Sequence, residues 1–232
     1  ACSPGRTRLR HALVLAAALL LAAGVAPGCR KERAGGTPPP ETPRPGGTLR
    51  VLFESANVFD PAEVDDAYEA LVANQIYEGL VRLDGDLGIR PGLARSWTVA
   101  DDGRSYRFLL RQGVRFHDGR LVDAEAVVAS ITRALSPGKE HPCLAETYLL
   151  GIEGAAAYRE GKAERVTGLR ALGSDTLEVR LSEPLSYFLS VMCMDQLKIV
   201  PRLRPGESLN AHPVGTGPFR WLAQRPDGEI LL

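Results

Sequence analysis

Few residues in this sequence have the types and spacing that catalysis requires. His117 and Asp118 could form half of a catalytic triad, but adjacent side chains in a turn point apart, and residues 116–119 (FHDG) are typical of a hairpin turn. The sequence contains no Gly-x-Ser-x-Gly elbow, no carboxylate pair clearly poised for acid-base work and no dinucleotide fingerprint. We therefore predict that the chain is not an enzyme.

Metal-binding and phosphate-binding patterns are also incomplete. His141 and Cys143 lie two residues apart, but zinc needs three or four converging ligands, and the remaining histidines offer no paired spacing. The Asp-Gly-Asp at 84–86 lacks the later oxygen ligands and the closing Glu of a calcium loop. The Gly-Thr-Gly at 215–217 is followed by neither a helix pattern nor a Lys-Ser/Thr pair, as a phosphate cradle would be. The sequence thus indicates no metal site and no cofactor.

The clearest structural signals lie between residues 93 and 135. Residues 97–99 and 105–110 are β-prone, and the Asp-Asp-Gly between them has the turn chemistry of a hairpin. Asp123 is placed to cap a helix. The predicted buried face of the hairpin carries Tyr106, Phe108 and Leu110, and that of the helix carries Ala124, Val127, Val128, Ile131 and Leu135. The pattern predicts a half-buried hairpin followed by a capped amphipathic helix.

This ordered set resembles the signature of the family 5 solute-binding proteins, the oligopeptide-, dipeptide- and nickel-binding receptors of bacterial ABC importers. The residues that carry the resemblance are Ser96-Trp97, Asp102-Gly103, Tyr106, Phe108, Leu110-Arg111, Gly113-Val114 and Phe116 to Gly119, with the capped Ala-x-x-Val helix. Further landmarks are residues 76–81 (IYEGLV), 199–201 and 213–219 (PVGTGPF). The resemblance extends almost continuously from residue 47 to residue 232.

The resemblance implies an α/β fold of the periplasmic-binding-protein-like type II (Venus flytrap) class, with mixed sheets flanked by helices. It assigns residues 48–90 and 166–232 to an incomplete domain I and residues 91–165 to a subdomain of domain II. The opposite lobe would lie beyond residue 232, so we expect this chain to be an amino-terminal fragment. Within domain I, residues 49–53 predict a strand and residues 65–80 a helix with Leu71, Asn74, Tyr77 and Val81 on one face.

The resemblance also suggests where a ligand would bind. It places the loop after the first strand at the mouth of the cleft, which makes Asn57 and Phe59 candidates. Met194 and Asp195 fall where the chain re-enters the interdomain region; Asp195 could pair with a ligand ammonium or be a solvated or capping carboxylate. Cys143 is a further candidate by position, although it could instead be structural, and a disulfide with Cys193 is permitted in an exported protein.

The amino-terminal residues are typical of a secretory signal. Arginines at 6, 8 and 10 precede an apolar run at 12–26, which is short of the roughly 20 residues that a membrane span needs. Residues 26–29 (APGC) resemble a lipobox with departures at Ala26 and Pro27, so lipidation of Cys29 is predicted and ordinary peptidase cleavage stays open. We expect a lipoprotein signal at 1–28.

Residues 29–47 are rich in proline and glycine and contain no large apolar side chain, which predicts a disordered tether. The signal segment holds three of the 28 basic residues and none of the 28 acidic ones, which leaves 25 against 28 and a net charge of −3. No basic patch with interleaved aromatic residues points to nucleic acid.

Together these features predict a substrate-binding lipoprotein of an ABC transporter. Its partners would be a peptide or another small solute, such as a metal chelate or a sugar, the ABC permease subunits and the membrane through the lipid anchor. We expect a monomer that is periplasmic or extracytoplasmic. The alternatives are a non-transport surface lipoprotein that serves as a sensor or adhesion module, and a secreted hydrolase on the same lobe.

Overall fold

The computed structural model describes residues 46–136 and 143–232, and its largest element is a four-stranded antiparallel sheet in the order β3-β4-β6-β5. The strands are β1 (Val81–Leu83), β2 (Ile89–Pro91), β3 (Ala94–Val99), β4 (Ser105–Leu110), β5 (Leu169–Ala171), β6 (Thr176–Arg180), β7 (Ala223–Gln224) and β8 (Ile230–Leu231). The helices are α1 (Ala67–Ile76), α2 (Ala124–Ala134), α3 (Glu146–Leu149), α4 (Ala155–Arg159) and α5 (Phe188–Val191), with 3-10 turns η1 (Pro61–Glu63) and η2 (Asp195–Leu197).

The predicted hairpin is confirmed as strands β3 and β4. Gly103 closes the turn at a φ of 65°, in the left-handed region that glycine adopts without a Cβ clash. Phe108 pairs with Trp97 on one side and with Leu177 of β6 on the other, and its side chain is fully buried. Side chains alternate between the two faces of a strand, so one face of this sheet lies in the core.

Helix α2 covers the buried face of the sheet next to β5 and β6. Asp123 caps it as predicted, since its carboxylate accepts a hydrogen bond of 2.7 Å from the Ala126 N–H. Val127, Ile131 and Leu135 are buried, and Val128 is half-buried. The sequence pattern therefore identified both the start of the helix and its apolar face.

Two predictions for the preceding segment are wrong. Residues 49–53 are not a strand: Leu49 and Leu52 are 87% and 98% exposed, and none of the β-sheets in the described ranges includes this segment. A strand forms only with a hydrogen-bonded neighbour. Helix α1 is shorter than residues 65–80 and buries Val72 and Ile76 instead of Leu71. The chain leaves the helix after Ile76 because the following residues enter the β1–β2 hairpin.

Within residues 46–136 and 143–232, the buried hydrophobic side chains pack mainly into two clusters. The larger one lies between the sheet, α2 and the α3 to α5 region, and the smaller one surrounds α1. Residues Val51–Leu232 make one compact unit; the other unit is residues 1–50, of which 46–50 are described and have no regular secondary structure. The division into domain I (48–90 and 166–232) and a domain II subdomain (91–165) stays a proposal, and the four-stranded sheet contains strands from both ranges.

None of the helices within the described ranges is both long and apolar enough to cross a bilayer. The predicted signal at 1–28, Cys29 and most of the tether at 29–47 lie outside the described residues.

Candidate ligand-binding loop

The loop that contains the candidates Asn57 and Phe59, residues 56–60, is held in place by side chains from distant parts of the chain. Oε1 of Glu69 accepts hydrogen bonds from the Val58 N–H at 3.0 Å and the Asn57 N–H at 3.4 Å. Oδ1 of Asn210 accepts from the N–H groups of Phe59 and Asp60, each at 2.8 Å. A loop without regular structure thereby satisfies four consecutive backbone donors, which fixes its conformation.

Asp60, at the end of this loop, forms the most buried ion pair of the region. Its carboxylate receives two hydrogen bonds from the Arg133 guanidinium, at 2.5 and 2.6 Å, and a third of 3.0 Å from the Ala62 N–H. The Asp60 side chain is 8% exposed and that of Arg133 is 21% exposed. Bidentate pairing of this kind offsets the cost of removing two charges from water. The pair joins the loop to helix α2.

Tyr77 lies in the field of the same ion pair. Burial raises the pKa of the Tyr77 hydroxyl far above its ordinary value, and the negative charge of Asp60 raises it further while the positive charge of Arg133 opposes the shift. The hydroxyl therefore stays protonated throughout the physiological pH range, so Tyr77 contributes a neutral polar group to this part of the core.

The two candidate residues of the loop have different environments. Asn57 is exposed, whereas Phe59 is 3% exposed and packs on Trp221 with ring centroids 4.5 Å apart. In this structure Asn57 is accessible to a solute, and Phe59 belongs to the smaller hydrophobic cluster.

The second candidate segment, Met194 and Asp195, lies beside the loop. Turn η2 packs against η1, and the Gln196 side chain donates a hydrogen bond of 2.9 Å to the Val64 carbonyl. Oδ1 of Asp195 accepts from the Asn74 amide at 2.9 Å and lies 3.4 Å from Nζ of Lys198. The Asp195 carboxylate thus already has a positively charged neighbour, and its role towards a ligand ammonium stays a prediction.

Cys143 is not brought together with the loop. It is 4% exposed and belongs to the larger hydrophobic cluster, against which Met194 and Cys193 also pack. Cys143 and Cys193 are not joined by a disulfide, and burial raises the pKa of the Cys193 thiol while Lys198 partly opposes that shift. The burial of Cys143 and the raised pKa of the Cys193 thiol both disfavour a reactive thiolate.

The Gly-Thr-Gly segment is explained by close backbone packing. The Gly217 N–H donates to the Ile76 carbonyl at 2.8 Å, and a Cβ added to Gly215 would lie 2.0 Å from that same oxygen. His117 fixes the segment from the other side, with Nε2 2.9 Å from the Gly217 carbonyl and its backbone N–H 2.8 Å from the Gly215 carbonyl. Asp118 instead pairs with Arg120 at 2.6 Å, so these two residues hold turns rather than a catalytic group.

An open depression of about 700 Å³ lies beside the loop. It is lined in part by His117, Asn210, His212, Arg220 and Trp221, which combine an apolar ring with polar and basic groups. Its size falls in the range of small-molecule sites, roughly 300–1,000 Å³. Because Asn210 and Trp221 also contact residues 59 and 60, the wall of this depression and the candidate loop are one structure.

Sequence reasoning missed the residues that hold the loop, namely Asp60, Glu69, Arg133, Asn210 and Trp221. The Asp-Pro dipeptide at 60–61 is typical of the end of a loop, but no local sequence signal connects Asp60 with Arg133 or Phe59 with Asn210. These partners are 73 and 151 residues apart in the chain.

Comparison with known proteins gives consistent matches. The family model described as bacterial extracellular solute-binding proteins, family 5 Middle, matches residues 88–232. The glutathione-binding protein GsiB of Salmonella paratyphi A is 30% identical over 165 residues, which cover 70% of this chain and 29% of that protein.

Two solved structures extend the match to three dimensions. A periplasmic oligopeptide-binding protein of Borrelia burgdorferi has a TM-score of 0.66 at 30% identity. The match covers 72% of this chain and 35% of that protein. The murein tripeptide binding protein MppA of Escherichia coli has a TM-score of 0.65 at 28% identity, covering 72% and 33%. The chain therefore spans about a third of the length of the proteins it matches.

Proposed function

The chain belongs to the family 5 bacterial extracellular solute-binding proteins, and from this we propose that it acts in the substrate-binding component of an ABC importer. Its fold is the predicted one, part of the mixed α/β fold of the type II periplasmic binding proteins. The observation that carries the proposal is the family match over residues 88–232, which includes the hairpin, α2 and the segment that walls the depression.

Peptides are the solutes that the comparisons favour. The relatives named above bind glutathione, oligopeptides and a murein tripeptide, according to their names. We propose that Asn57, Phe59, Cys143, Met194 and Asp195 contribute to a peptide site. The exposure of Asn57 supports this residue most directly, whereas the burial of Phe59 and Cys143 gives these two an indirect, supporting role.

In the proposed mechanism, the receptor binds the solute and releases it without making or breaking a covalent bond. A solute that contacts both lobes of such a receptor binds the closed state more tightly than the open one, and so increases the closed population. A loop whose four N–H groups are already satisfied loses little conformational entropy when the solute arrives. The solute is then delivered to the permease unchanged.

We further propose that the receptor is monomeric and is anchored on the extracytoplasmic side through a lipid on Cys29, with residues 29–47 as its tether. The relative from Borrelia burgdorferi is named as periplasmic, which agrees with export. Metabolic labelling with palmitate, compared between the wild-type protein and Cys29→Ser, tests the anchor.

A thermal-shift screen of the protein encoded by the complete gene tests the function. Peptides, sugars and nickel would be added separately, since any ligand that binds only the folded state raises the unfolding midpoint. We expect peptides to raise it in a saturable way. If no solute raised it, the alternative of a sensor or adhesion lipoprotein would be favoured.

A further inference from the structure

Three carboxylates converge where helix α1 begins. Asp65, Asp66 and Glu69 each provide one oxygen, and the three oxygens lie within 4.8 Å of one another. Among the described residues, no Lys, Arg or His forms an ion pair with any of the three. Three negative charges this close repel one another unless a cation lies between them.

Glu69 supplies an independent sign that a ligand is needed. The residue is 5% exposed, and its Oε1 is engaged with the N–H groups of Asn57 and Val58. Its Oε2 is buried and receives no hydrogen bond from any described residue. A buried carboxylate oxygen without a partner is costly, because it has lost its water and gained nothing in return.

The oxygen spacing is compatible with calcium, and the exposure of two of the three carboxylates favours it. Calcium binds oxygen at about 2.3–2.6 Å, so two of its ligands can be up to roughly 4.6–5.2 Å apart, whereas magnesium, at about 2.0–2.1 Å, allows only about 4.2 Å. Asp65 and Asp66 are exposed, which leaves the outer side of the ion open to water, and calcium accepts such mixed shells of carboxylates and water.

The positive end of the α1 dipole opposes a cation here, but it is equivalent to only about half a charge and faces three carboxylates. Part of that dipole is already satisfied, since Oδ1 of Asp66 accepts hydrogen bonds from the N–H groups of Tyr68 and Glu69 at 2.7 and 2.8 Å. The net field at the cluster therefore favours a divalent cation.

We propose that Asp65, Asp66 and Glu69 form a calcium site that braces the candidate loop. Through Glu69 the ion is one residue away from the N–H groups of Asn57 and Val58, so binding it couples the start of α1 to the loop. This inference does not depend on the proposed transport function, because calcium binding is measured without any solute.

The test is isothermal titration of CaCl2 into the 232-residue chain, with MgCl2 as the comparison ion. We expect one ion per chain with a dissociation constant of about 10⁻⁴–10⁻³ M, the range of extracellular calcium modules. The variant Asp65→Asn/Asp66→Asn should bind calcium at least about tenfold more weakly, and Asn keeps the helix cap that Asp66 provides.

The single variant Asp65→Asn is a second test that should not disturb folding. Asp65 is exposed, and its side chain makes no hydrogen bond to a described residue. Asp101→Asn, at an exposed turn position far along the chain, is the matched control and should bind as the wild type does. Equal calcium affinity in all four proteins, no binding in the wild type, or magnesium affinity equal to that for calcium would each overturn the proposal.

Discussion

The carboxylate of Asp60 and the guanidinium of Arg133 form a bidentate ion pair that joins a loop and a helix 73 residues apart. The loop carries Asn57, the accessible binding candidate, and the helix packs on the main sheet. The geometry of the candidate site therefore depends on the packed helix and sheet as well as on the sequence of the loop.

Removing the cation of this pair should destabilise the fold strongly. Arg133→Leu leaves the Asp60 carboxylate buried without its partner, and breaking a buried pair in this way costs about 3–5 kcal/mol of unfolding free energy. Urea denaturation measures the change.

The matched control is Arg107→Leu, which breaks the surface pair between Arg107 and Glu178. The Arg107 side chain is 60% exposed, so its loss should cost less than about 1 kcal/mol. Equal effects of the two substitutions would contradict the structural role assigned to Asp60 and Arg133.

The Gly-Thr-Gly segment should tolerate no side chain at Gly215. Gly215→Ala places a Cβ against the Ile76 carbonyl, and relieving that clash means moving backbone, which we expect to cost about 1–3 kcal/mol. Gly85→Ala is the control, since its added Cβ meets no atom within 4 Å. Thermal unfolding of both variants measures the difference, and a neutral Gly215→Ala would show that the segment is not packed as described.

Because Tyr77 is buried, we expect the free energy of unfolding to decrease at alkaline pH. Burial raises the folded-state pKa of Tyr77 above the ordinary value of 10.0, so the unfolded chain loses this proton first, and stability that is complete below about pH 10 declines as pH rises further. In Tyr77→Phe, the unfolding free energy should decline less between about pH 9 and about pH 11 than in the wild type. Urea denaturation at several pH values measures the difference. Tyr187→Phe, at an exposed tyrosine, is the control; an unchanged slope in Tyr77→Phe would contradict the assignment.

Local sequence signals explain what could be predicted. The β3–β4 hairpin and the cap of α2 depend on residues within a few positions of one another, such as Gly103 in its turn and Asp123 beside Ala126. Their side-chain periodicity also identifies the buried face, because the same residues that form the element pack on the core.

Contacts between residues far apart in the sequence explain the features that could not be predicted from it. The burial of Phe59 follows from Trp221, and the conformation of its loop follows from Glu69 and Asn210. Residues 49–53 alternate like a strand, yet their pairing depends on a neighbour that the pattern does not contain. At the end of α1, the Ile76 carbonyl likewise accepts a hydrogen bond from the distant Gly217 N–H.

The roles of the two polar candidates, Asn57 and Asp195, can be distinguished by the effects of their substitution on peptide affinity and on stability. In the protein encoded by the complete gene, Asn57→Ala should weaken peptide binding about tenfold without changing stability, because its side chain is exposed and makes no hydrogen bond to a described residue. Asp195→Asn should weaken binding only if its carboxylate meets the peptide ammonium.

If Asp195 serves only Asn74 and Lys198, the Asp195→Asn substitution will instead lower the unfolding midpoint and leave affinity unchanged. Calorimetric titration with one peptide, combined with thermal unfolding of each variant, distinguishes these results. Wild-type affinity in both variants would remove both residues from the proposed site.

Capture of peptides without chemical change is measured by calorimetric titration of a peptide mixture into the protein encoded by the complete gene, followed by mass spectrometry of the recovered peptides. We expect saturable binding at one site per chain and peptides recovered with unchanged masses. Failure to bind any peptide, or recovery of cleaved peptides, would contradict this expectation.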